Sequence, residues 1–204
     1  MNAHLAALVI HDLKNALGAL QEQLRALEAE PTQALARTAG ENCADLRFRF
    51  VAFLLLYGGK DALHPVIADE SPQAFLQTLL GTVQQPNCPV TTRLESLNAA
   101  PAFWYFDHRL VRLAMDAALH NARRFATSEV RLSARTEDGF LVLIVDDDGL
   151  GLGNSDNNDQ SWATGLGSEL CLAVAKAHRN NDREGFVRLT NRVDRGVRFE
   201  LWLP

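Results

Sequence analysis

Three absences narrow the classes of protein to which this chain can belong. Only three cysteines occur among its 204 residues, Cys43, Cys88 and Cys171, and no two of them have CxxC spacing. Their odd number and spacing argue against a disulfide framework or a zinc site and favour reduced thiols in a cytosolic protein. No Lys/Arg-rich run occurs and the net charge is −5, so we expect no nucleic-acid partner.

Long apolar runs are missing as well. The longest, Phe50 to Tyr57, is too short to cross a bilayer, and a histidine, an aspartate and a lysine interrupt the first residues, which is unlike a signal peptide. We therefore predict a cytoplasmic protein without a membrane span, and expect any input signal to arrive through a ligand or a separate sensory partner. With 47% hydrophobic residues, the chain can bury the core of one medium domain or two small ones.

The first sixty residues have the pattern of a helical hairpin. Apolar residues recur at alternating spacings of three and four in the first helix, about Asn2 to Ala29, and Thr32 can cap a second helix that ends at Gly58-Gly59. The seam of the first helix consists of Ala3, Ala6, Ile10, Leu13, Leu17, Leu20, Leu24 and Leu27. Two helices cannot enclose such a seam, so we expect either a four-helix bundle in a homodimer or packing on the rest of the chain.

A histidine lies at the edge of that seam. His11 is one position past Ile10, Asp12 is beside it, and Asn15 is one helical turn further along the same face. A neutral imidazole can act as a nucleophile while a neighbouring carboxylate orients the ring and accepts its proton. An amide one turn away could position a water for the reverse, hydrolytic step. The alternative is a solvated polar face with a chance histidine.

After a linker-like segment, residues 59–70, the pattern changes to alternating helices and strands. Helices are predicted from Ser71-Pro72 to before Pro86, from Asp107 to Phe125 and from Gly167 to Arg179. The predicted strands cover 89–97, 103–106, 129–135, 140–146, 185–193 and 197–203. Residues 71–204 therefore read as an α+β sandwich, one mixed sheet with helices on one face.

Three stretches of this second domain predict a nucleotide site. Asp146-Asp147-Asp148-Gly149-Leu150-Gly151 lies at the end of a strand, where a buried aspartate can accept a hydrogen bond from an exocyclic amine such as that of adenine, and glycines let backbone approach a ligand. Gly165 and Gly167 precede a helix, whose free N–H groups attract phosphates. Asn121 can ligate Mg²⁺ through its amide oxygen, with a cation nearby for phosphate oxygens. Each stretch alone also fits a plain turn, helix packing or a polar helix residue.

Together, these motifs resemble the catalytic core of bacterial two-component sensor histidine kinases. The resemblance implies a dimerisation and phosphoacceptor hairpin at 1–58 and, at 71–204, an ATP-binding domain of the superfamily that includes gyrase and the chaperone Hsp90. It makes His11-Asp12-Leu13-Lys14-Asn15 the H box, in which His11 is phosphorylated, Asp12 is its base and Asn15 positions water for phosphatase action.

The same resemblance assigns roles to the nucleotide motifs. Asn121 would bind Mg²⁺, and Arg124 stands where the family usually has a phosphate-contacting lysine. Asp147 would bind the adenine of ATP, with Gly149 and Gly151 beside it. Gly165 and Gly167 would lie on the phosphate side. The implied activity is ATP-dependent autophosphorylation, with transfer to a response-regulator receiver domain.

The chain departs from the family pattern at several positions. Ala117 replaces the first asparagine of the N box, Ala16 replaces the proline after the H box, and Ala163 and Ser168-Glu169 alter the second glycine box. These changes keep an alternative open, a histidine phosphotransferase relay whose kinase-like domain no longer binds ATP. A serine kinase of the anti-sigma type shares the ATPase fold, but it would not explain the His11 hairpin.

Overall fold

The computed structural model describes residues 3–58, 63–83, 89–95, 99–153 and 166–204, which fall into two units. The first unit lies within residues 1–62 and the second within 63–204. In the described ranges, no helix combines the length and the apolar character that crossing a membrane requires. Cys43 is exposed and Cys171 is buried, both as free thiols, whereas Cys88 lies outside the described residues.

The first unit is the predicted helical hairpin. Helix α1 covers Ala3–Ala29 and α2 covers Gln33–Tyr57. Thr32 caps α2 as expected, since its hydroxyl oxygen accepts from the backbone N–H of Leu35 at 3.2 Å. Gly58 closes the helix in a right-handed conformation, with its N–H donating to the carbonyl of Leu54.

The apolar seam of α1 divides into two sets. Leu13 and Leu27 are half-buried and Leu20 is buried, whereas Ile10, Leu17 and Leu24 remain 54%, 48% and 47% exposed. Helix α2 also exposes Phe50 and Leu54. One half of the seam therefore packs within the hairpin, and the other half stays open along α1.

The second unit is built on a five-stranded mixed sheet. Its helices are α3 (Pro72–Val83), α4 (His108–Phe125) and α5 (Leu166–Ala177). The strands are β1 (Ala68–Glu70), β2 (Thr91–Leu94), β3 (Trp104–Phe106), β4 (Glu129–Glu137), β5 (Phe140–Asp147), β6 (Arg179–Asn180), β7 (Arg183–Glu184), β8 (Phe186–Asn191) and β9 (Val197–Leu203). The sheet order is β2-β4-β5-β9-β8. Strands β2 and β4 run parallel, and the pairs β4-β5, β5-β9 and β9-β8 are antiparallel.

Successive side chains of a strand point to opposite faces of the sheet, so alternate residues reach the core under the helices. Leu141, Leu143 and Val145 of β5 are fully or almost fully buried on the face that the helices cover. The opposite face carries a smaller cluster of Val142, Ile144 and Trp202, flanked by arginine and glutamate side chains such as Arg135 and Glu200. The predicted α+β class, with a helical hairpin before an α/β sandwich, is confirmed.

Three local features differ from the sequence prediction. Residues 68–70, expected in the linker, form β1 and pair antiparallel with β3. The helix expected to reach Arg179 ends at Ala177, because Arg179-Asn180 pair with Arg183-Glu184 in a short hairpin, β6-β7. The expected strand over 185–193 is the shorter β8, since the chain leaves the sheet at Arg192 to turn into β9.

Candidate phosphoacceptor and nucleotide sites

The first candidate site is the exposed face of α1 around His11. The Nδ2 atom of Asn15 lies 3.2 Å from Nδ1 of His11, and the nearer carboxylate oxygen of Asp12 lies 3.6 Å from the same nitrogen. The side chains of His11 and Asp12 are 66% and 64% exposed. Both predicted neighbours, Asp12 and Asn15, therefore lie beside Nδ1 of His11, and neither contacts Nε2.

The second candidate site begins at the end of β5, where three consecutive aspartates have different hydrogen-bond partners. The side chain of Asp147 lies on the same face of the sheet as those of Leu143 and Val145, and it is buried. Its Oδ1 atom accepts from the backbone N–H of Gly149 at 2.8 Å and of Val197 at 3.2 Å. Burial raises the pKa of Asp147, partly offset by those two hydrogen bonds. A fixed, buried acceptor of this kind suits recognition of a donor such as an exocyclic amine.

The flanking aspartates are structural. Asp146 points to the opposite sheet face and makes a bidentate ion pair with Arg198, at 2.8 and 2.6 Å. Asp148 accepts from the backbone N–H groups of Thr127, Ser128 and Glu129 and from the Ser128 hydroxyl. Although burial acts to raise it, these hydrogen bonds hold the pKa of Asp148 far below its usual range. Asp148 thereby fastens the α4–β4 connection to the end of β5.

Two glycines are required beside Asp147. A Cβ atom on Gly149 would overlap the backbone carbonyl of Phe125, and one on Gly196 would overlap the carbonyl of Asp147 itself. Gly196 also has φ +92°, a conformation that favours glycine. The predicted Gly151 follows in the same loop with φ +88°, next to Asn191. The backbone is therefore packed closely around the buried carboxylate.

The predicted metal and phosphate residues lie on the last turns of α4. Asn121 is half-buried and Arg124 is exposed, with its guanidinium carbon 5.3 Å from the ring centroid of Phe125. Because Phe125 meets Gly149, the end of α4 adjoins the Asp147 loop. Ala117, one turn before Asn121, is 2% exposed, so the departure from the N-box pattern places a methyl group in the core.

The phosphate-side glycines are only partly within the described residues. Gly167 is the second residue of α5 and is half-buried, whereas Gly165 lies outside the described residues. The altered pair Ser168-Glu169 occupies the first turn of α5. A carboxylate in the first turn interacts favourably with the helix dipole, so Glu169 suits the helix even though the family pattern differs there.

Sequence reasoning missed three residues that hold the Asp147 loop. Arg192 donates to the carbonyl of Asp147 at 2.8 Å, and Arg195 donates to the carbonyl of Gly149 at 3.1 Å and to the Thr127 hydroxyl at 2.8 Å. Asn191 accepts from the N–H of Leu152 at 2.6 Å. All three come from the end of β8 and the turn that follows it, and this segment contains no recognised motif. The sequence Asp194-Arg195-Gly196 predicts a turn there but not a contact with the Asp147 loop.

The residues present fit a nucleotide with Mg²⁺. Within the described residues, no three His, Cys, Asp or Glu side chains gather as a metal site. Mg²⁺ usually keeps several waters and binds through few protein oxygens together with substrate phosphates. A single amide oxygen at Asn121, one turn before the helix end that meets Gly149, is the kind of sparse protein ligand that Mg²⁺ accepts.

Comparison with known proteins gives a likeness in structure only. No protein-family model and no curated protein matches the sequence. The histidine kinase AdeS of Acinetobacter baumannii is similar with a TM-score of 0.64 at 17% identity, over 95% of this chain and 96% of that one. Full-length ShkA, in complex with AMPPNP, is similar with a TM-score of 0.63 at 16% identity, over 100% of this chain and 46% of that one.

The second unit has similar structures of its own size. The ATP-binding domain of PrrB from Mycobacterium tuberculosis matches with a TM-score of 0.55 at 23% identity, over 68% of this chain and 97% of that one. At such identities the comparison establishes the fold and leaves the chemistry to the residues of this chain. From the hairpin with its exposed His11 to the sandwich that buries Asp147, the chain has the fold of a histidine kinase catalytic core.

Proposed function

We propose that this chain is a cytoplasmic histidine kinase, which transfers the γ-phosphoryl group of ATP to His11 and then to an aspartate of a response-regulator receiver domain. The observation that carries the proposal is the arrangement at His11. An exposed imidazole has a carboxylate and an amide beside its Nδ1 atom, and neither of these neighbours contacts Nε2. A chance surface histidine would not require both neighbours.

The hairpin supplies the nucleophile and its base. With the ring proton on Nδ1, the lone pair of Nε2 attacks phosphorus, and the positive charge that develops on the ring is compensated by the Asp12 carboxylate. Asp12 is 64% exposed, so its carboxylate stays hydrated between turnovers. Asn15, on the same face, could position a water for hydrolysis of the phosphorylated response regulator.

The sandwich domain supplies nucleotide binding. Asp147 would accept from the exocyclic amine of adenine, in a loop that Gly149 allows to lie against α4. Gly167, in the first turn of α5, would offer its backbone N–H to phosphates, together with Gly165, which lies outside the described residues. Asn121 would hold Mg²⁺ and Arg124 a phosphate oxygen. When bound, ATP supplies the phosphoryl group and Mg²⁺ offsets its charge.

The open half of the α1 seam supports a homodimer. Ile10, Leu17 and Leu24 recur every seven residues and are about half exposed, and Phe50 and Leu54 of α2 are exposed as well. Apolar rows of this kind are covered in helical bundles, and a second copy of the hairpin provides a matching row across a two-fold axis. The input signal would then come from a separate partner or ligand.

The direct test is incubation with γ-labelled ATP and Mg²⁺. The native chain should acquire acid-labile, base-stable label, and both His11→Ala and Asp147→Asn should lose it. Asp146→Asn is the matched control for Asp147→Asn, because the Asp146 carboxylate faces the other side of the sheet, where it pairs with Arg198. This variant should retain labelling. His64→Ala controls for the loss of an exposed histidine.

The opposite result would redirect the assignment. If the native chain takes no label and calorimetry detects no binding of ATP, ADP or a non-hydrolysable analogue, the kinase proposal fails. The phosphotransferase relay then becomes the function to test, by transfer of phosphoryl groups to His11 from a phosphorylated receiver domain. Labelling that survives His11→Ala would place the phosphoryl group on another residue and would also overturn the proposal.

A further inference from the structure

The two polar neighbours of His11 make incompatible demands on the same ring nitrogen. The amide nitrogen of Asn15, 3.2 Å from Nδ1, can only donate a hydrogen bond. The carboxylate of Asp12, 3.6 Å from Nδ1, can only accept one when ionised. Since a neutral imidazole carries a proton on one nitrogen and a lone pair on the other, the two neighbours favour different tautomers.

Only one of these tautomers is nucleophilic at Nε2. A hydrogen bond from Asn15 to Nδ1 requires the lone pair on Nδ1, which puts the proton on Nε2 and leaves that atom without an in-plane electron pair. Asp12 instead stabilises the proton on Nδ1 and frees the lone pair of Nε2. In the structure the contact with Asn15 has hydrogen-bond length, and the one with Asp12 is longer.

We propose that Asn15 is a positioning residue that holds His11 in the tautomer unable to attack through Nε2. Phosphorylation then requires Nδ1 to exchange the Asn15 amide for the Asp12 carboxylate. The N–P bond forms at Nε2 as the bond from the γ-phosphorus to its bridging oxygen breaks. The electron pair of that bond leaves with ADP, and the Nδ1 proton passes to Asp12.

Helix geometry explains why the two contacts alternate. Asn15 is one turn from His11 on the same face, whereas Asp12 is rotated by about 100° around the axis. The ring therefore changes side-chain rotamer to move from one partner to the other. Both His11 and Asp12 are mostly exposed, so that change meets no packed core and is fast compared with catalysis. Asn15 thus lowers the population of reactive His11 and does not act as a slow gate.

The proposal deepens the assignment of His11 as phosphoacceptor, but its first test does not depend on kinase activity. The tautomer can be read from ¹⁵N chemical shifts of the full chain labelled at histidine, at alkaline pH where imidazoles are neutral. His11→Gln identifies the His11 signals by their loss. We expect the native signals to show the proton mainly on Nε2.

Substitutions should move the tautomer ratio in opposite directions. Asn15→Ala should shift it toward the Nδ1 proton by about twofold to fivefold, the lower part of the range for one hydrogen bond. Asn15→Asp should shift it further, because an acceptor replaces a donor, and Asp12→Asn should shift it back. A native proton already on Nδ1, or a shift of Asn15→Ala toward Nε2, would overturn the proposal.

A second test measures the reactivity of His11 in the full chain with a phosphoryl donor that does not need the nucleotide site. Phosphoramidate, a small phosphoryl donor, should phosphorylate Nε2 of His11 about twofold to fivefold faster in Asn15→Ala than in the native chain. Gln21→Ala, an exposed polar change further along α1, should leave the rate unchanged. An equal or slower rate in Asn15→Ala would refute the proposal. A faster rate without labelling from ATP would retain it while the kinase proposal fails.

Discussion

The carbonyl oxygen of Phe125 faces the α-carbon of Gly149, so that the last turn of α4 lies against the end of β5. A Cβ atom at position 149 would overlap that oxygen and would also come to 3.0 Å from Oδ1 of Asp147. Any side chain at this position must therefore displace either the helix end that carries Asn121 or the buried carboxylate. Both lie in the proposed nucleotide site.

We accordingly predict that Gly149→Ala impairs nucleotide binding and stability together. Backbone overlap of this kind costs about 1–3 kcal/mol of the free energy of unfolding, and the affinity for ATP should fall by at least about tenfold. Calorimetric titration with ATP and chemical unfolding followed by tryptophan fluorescence would measure the two effects. The three tryptophans, at 104, 162 and 202, all belong to the second unit.

Gly81→Ala provides the matched control. Gly81 lies within α3. Apart from the adjacent residues and the nearby helix backbone, no atom of the described residues lies within 4 Å of the place that an alanine methyl group would take. Alanine should therefore stabilise the helix by about 0.5–1 kcal/mol. Its affinity for ATP should equal that of the native chain. Native affinity in Gly149→Ala would show that the contact between α4 and β5 does not shape the nucleotide site.

A separate prediction concerns Arg195, which bridges the Gly149 carbonyl and the Thr127 hydroxyl. Arg195→Ala should weaken ATP binding by about threefold to tenfold, as expected for the loss of one or two hydrogen bonds that position the loop. The ATP affinity of Arg195→Lys should lie between those of the native chain and Arg195→Ala, because an ammonium group can donate but lacks the planar fork of the guanidinium. The measurement is calorimetric titration, with the unfolding midpoint recorded in parallel.

The control for Arg195 is another arginine that donates to a turn. Arg183 donates to the Asp138 carbonyl at 2.7 Å, in the turn between β4 and β5. Arg183→Ala should leave the ATP affinity at its native value while costing a similar amount of stability. If both variants weaken ATP binding equally, the effect reflects general destabilisation, and the positioning role of Arg195 is excluded.

The sequence predicted the elements whose signals are local and periodic. The three-four spacing indicated both helices of the hairpin, and Asp107 marked the start of α4, where its carboxylate accepts from the N–H groups of Arg109 and Leu110. Asn15 could be placed beside His11 because positions four apart share a helix face, and Asp12 because it is the next residue in the chain. Asp147 was singled out by the resemblance of its aspartate- and glycine-containing motif to that of histidine kinases, at the end of a predicted strand.

Features that depend on contacts between distant segments were not predictable. Strand β1 has the sequence Ala68-Asp69-Glu70, without apolar alternation, and forms only because β3 provides its partner. Arg192 and Arg195 meet the Asp147 loop from about 45 residues away, and nothing in a surface turn signals that. Their roles required the sheet order, which brings the end of β8 next to that of β5 through β9.

His178 should make the stability of the second unit fall in mild acid. Its Nδ1 donates to the carbonyl of Val174 at 2.7 Å, and its Nε2 accepts from the N–H of Asp107 at 3.0 Å. Burial lowers the pKa of His178, although the Val174 carbonyl and the Asp107 charge act in the opposite direction. A folded pKa below the ordinary value of 6.5 means that the unfolded chain binds the proton more readily.

The sign of the pH dependence follows directly. The contribution of His178 to stability is fully present above the unfolded pKa and is lost as the pH falls below it, toward the lower folded value. The free energy of unfolding, measured with urea between neutral pH and about pH 5.5, should decline more steeply in the native chain than in His178→Gln. Equal slopes in the native chain and His178→Gln would contradict the prediction.

The open half of the α1 seam leads to a prediction about assembly. Leu17 is 48% exposed in the hairpin, so Leu17→Glu should leave the helical content of a single chain intact. In a four-helix bundle, however, it would bury a carboxylate in each copy of the seam, which should weaken dimerisation by at least about 100-fold. Sedimentation equilibrium should find a native dimer and a Leu17→Glu monomer at micromolar concentration, with Gln21→Glu, on an exposed position of the same helix, still dimeric. A native monomer would mean that the row of Ile10, Leu17 and Leu24 is not covered by a second copy.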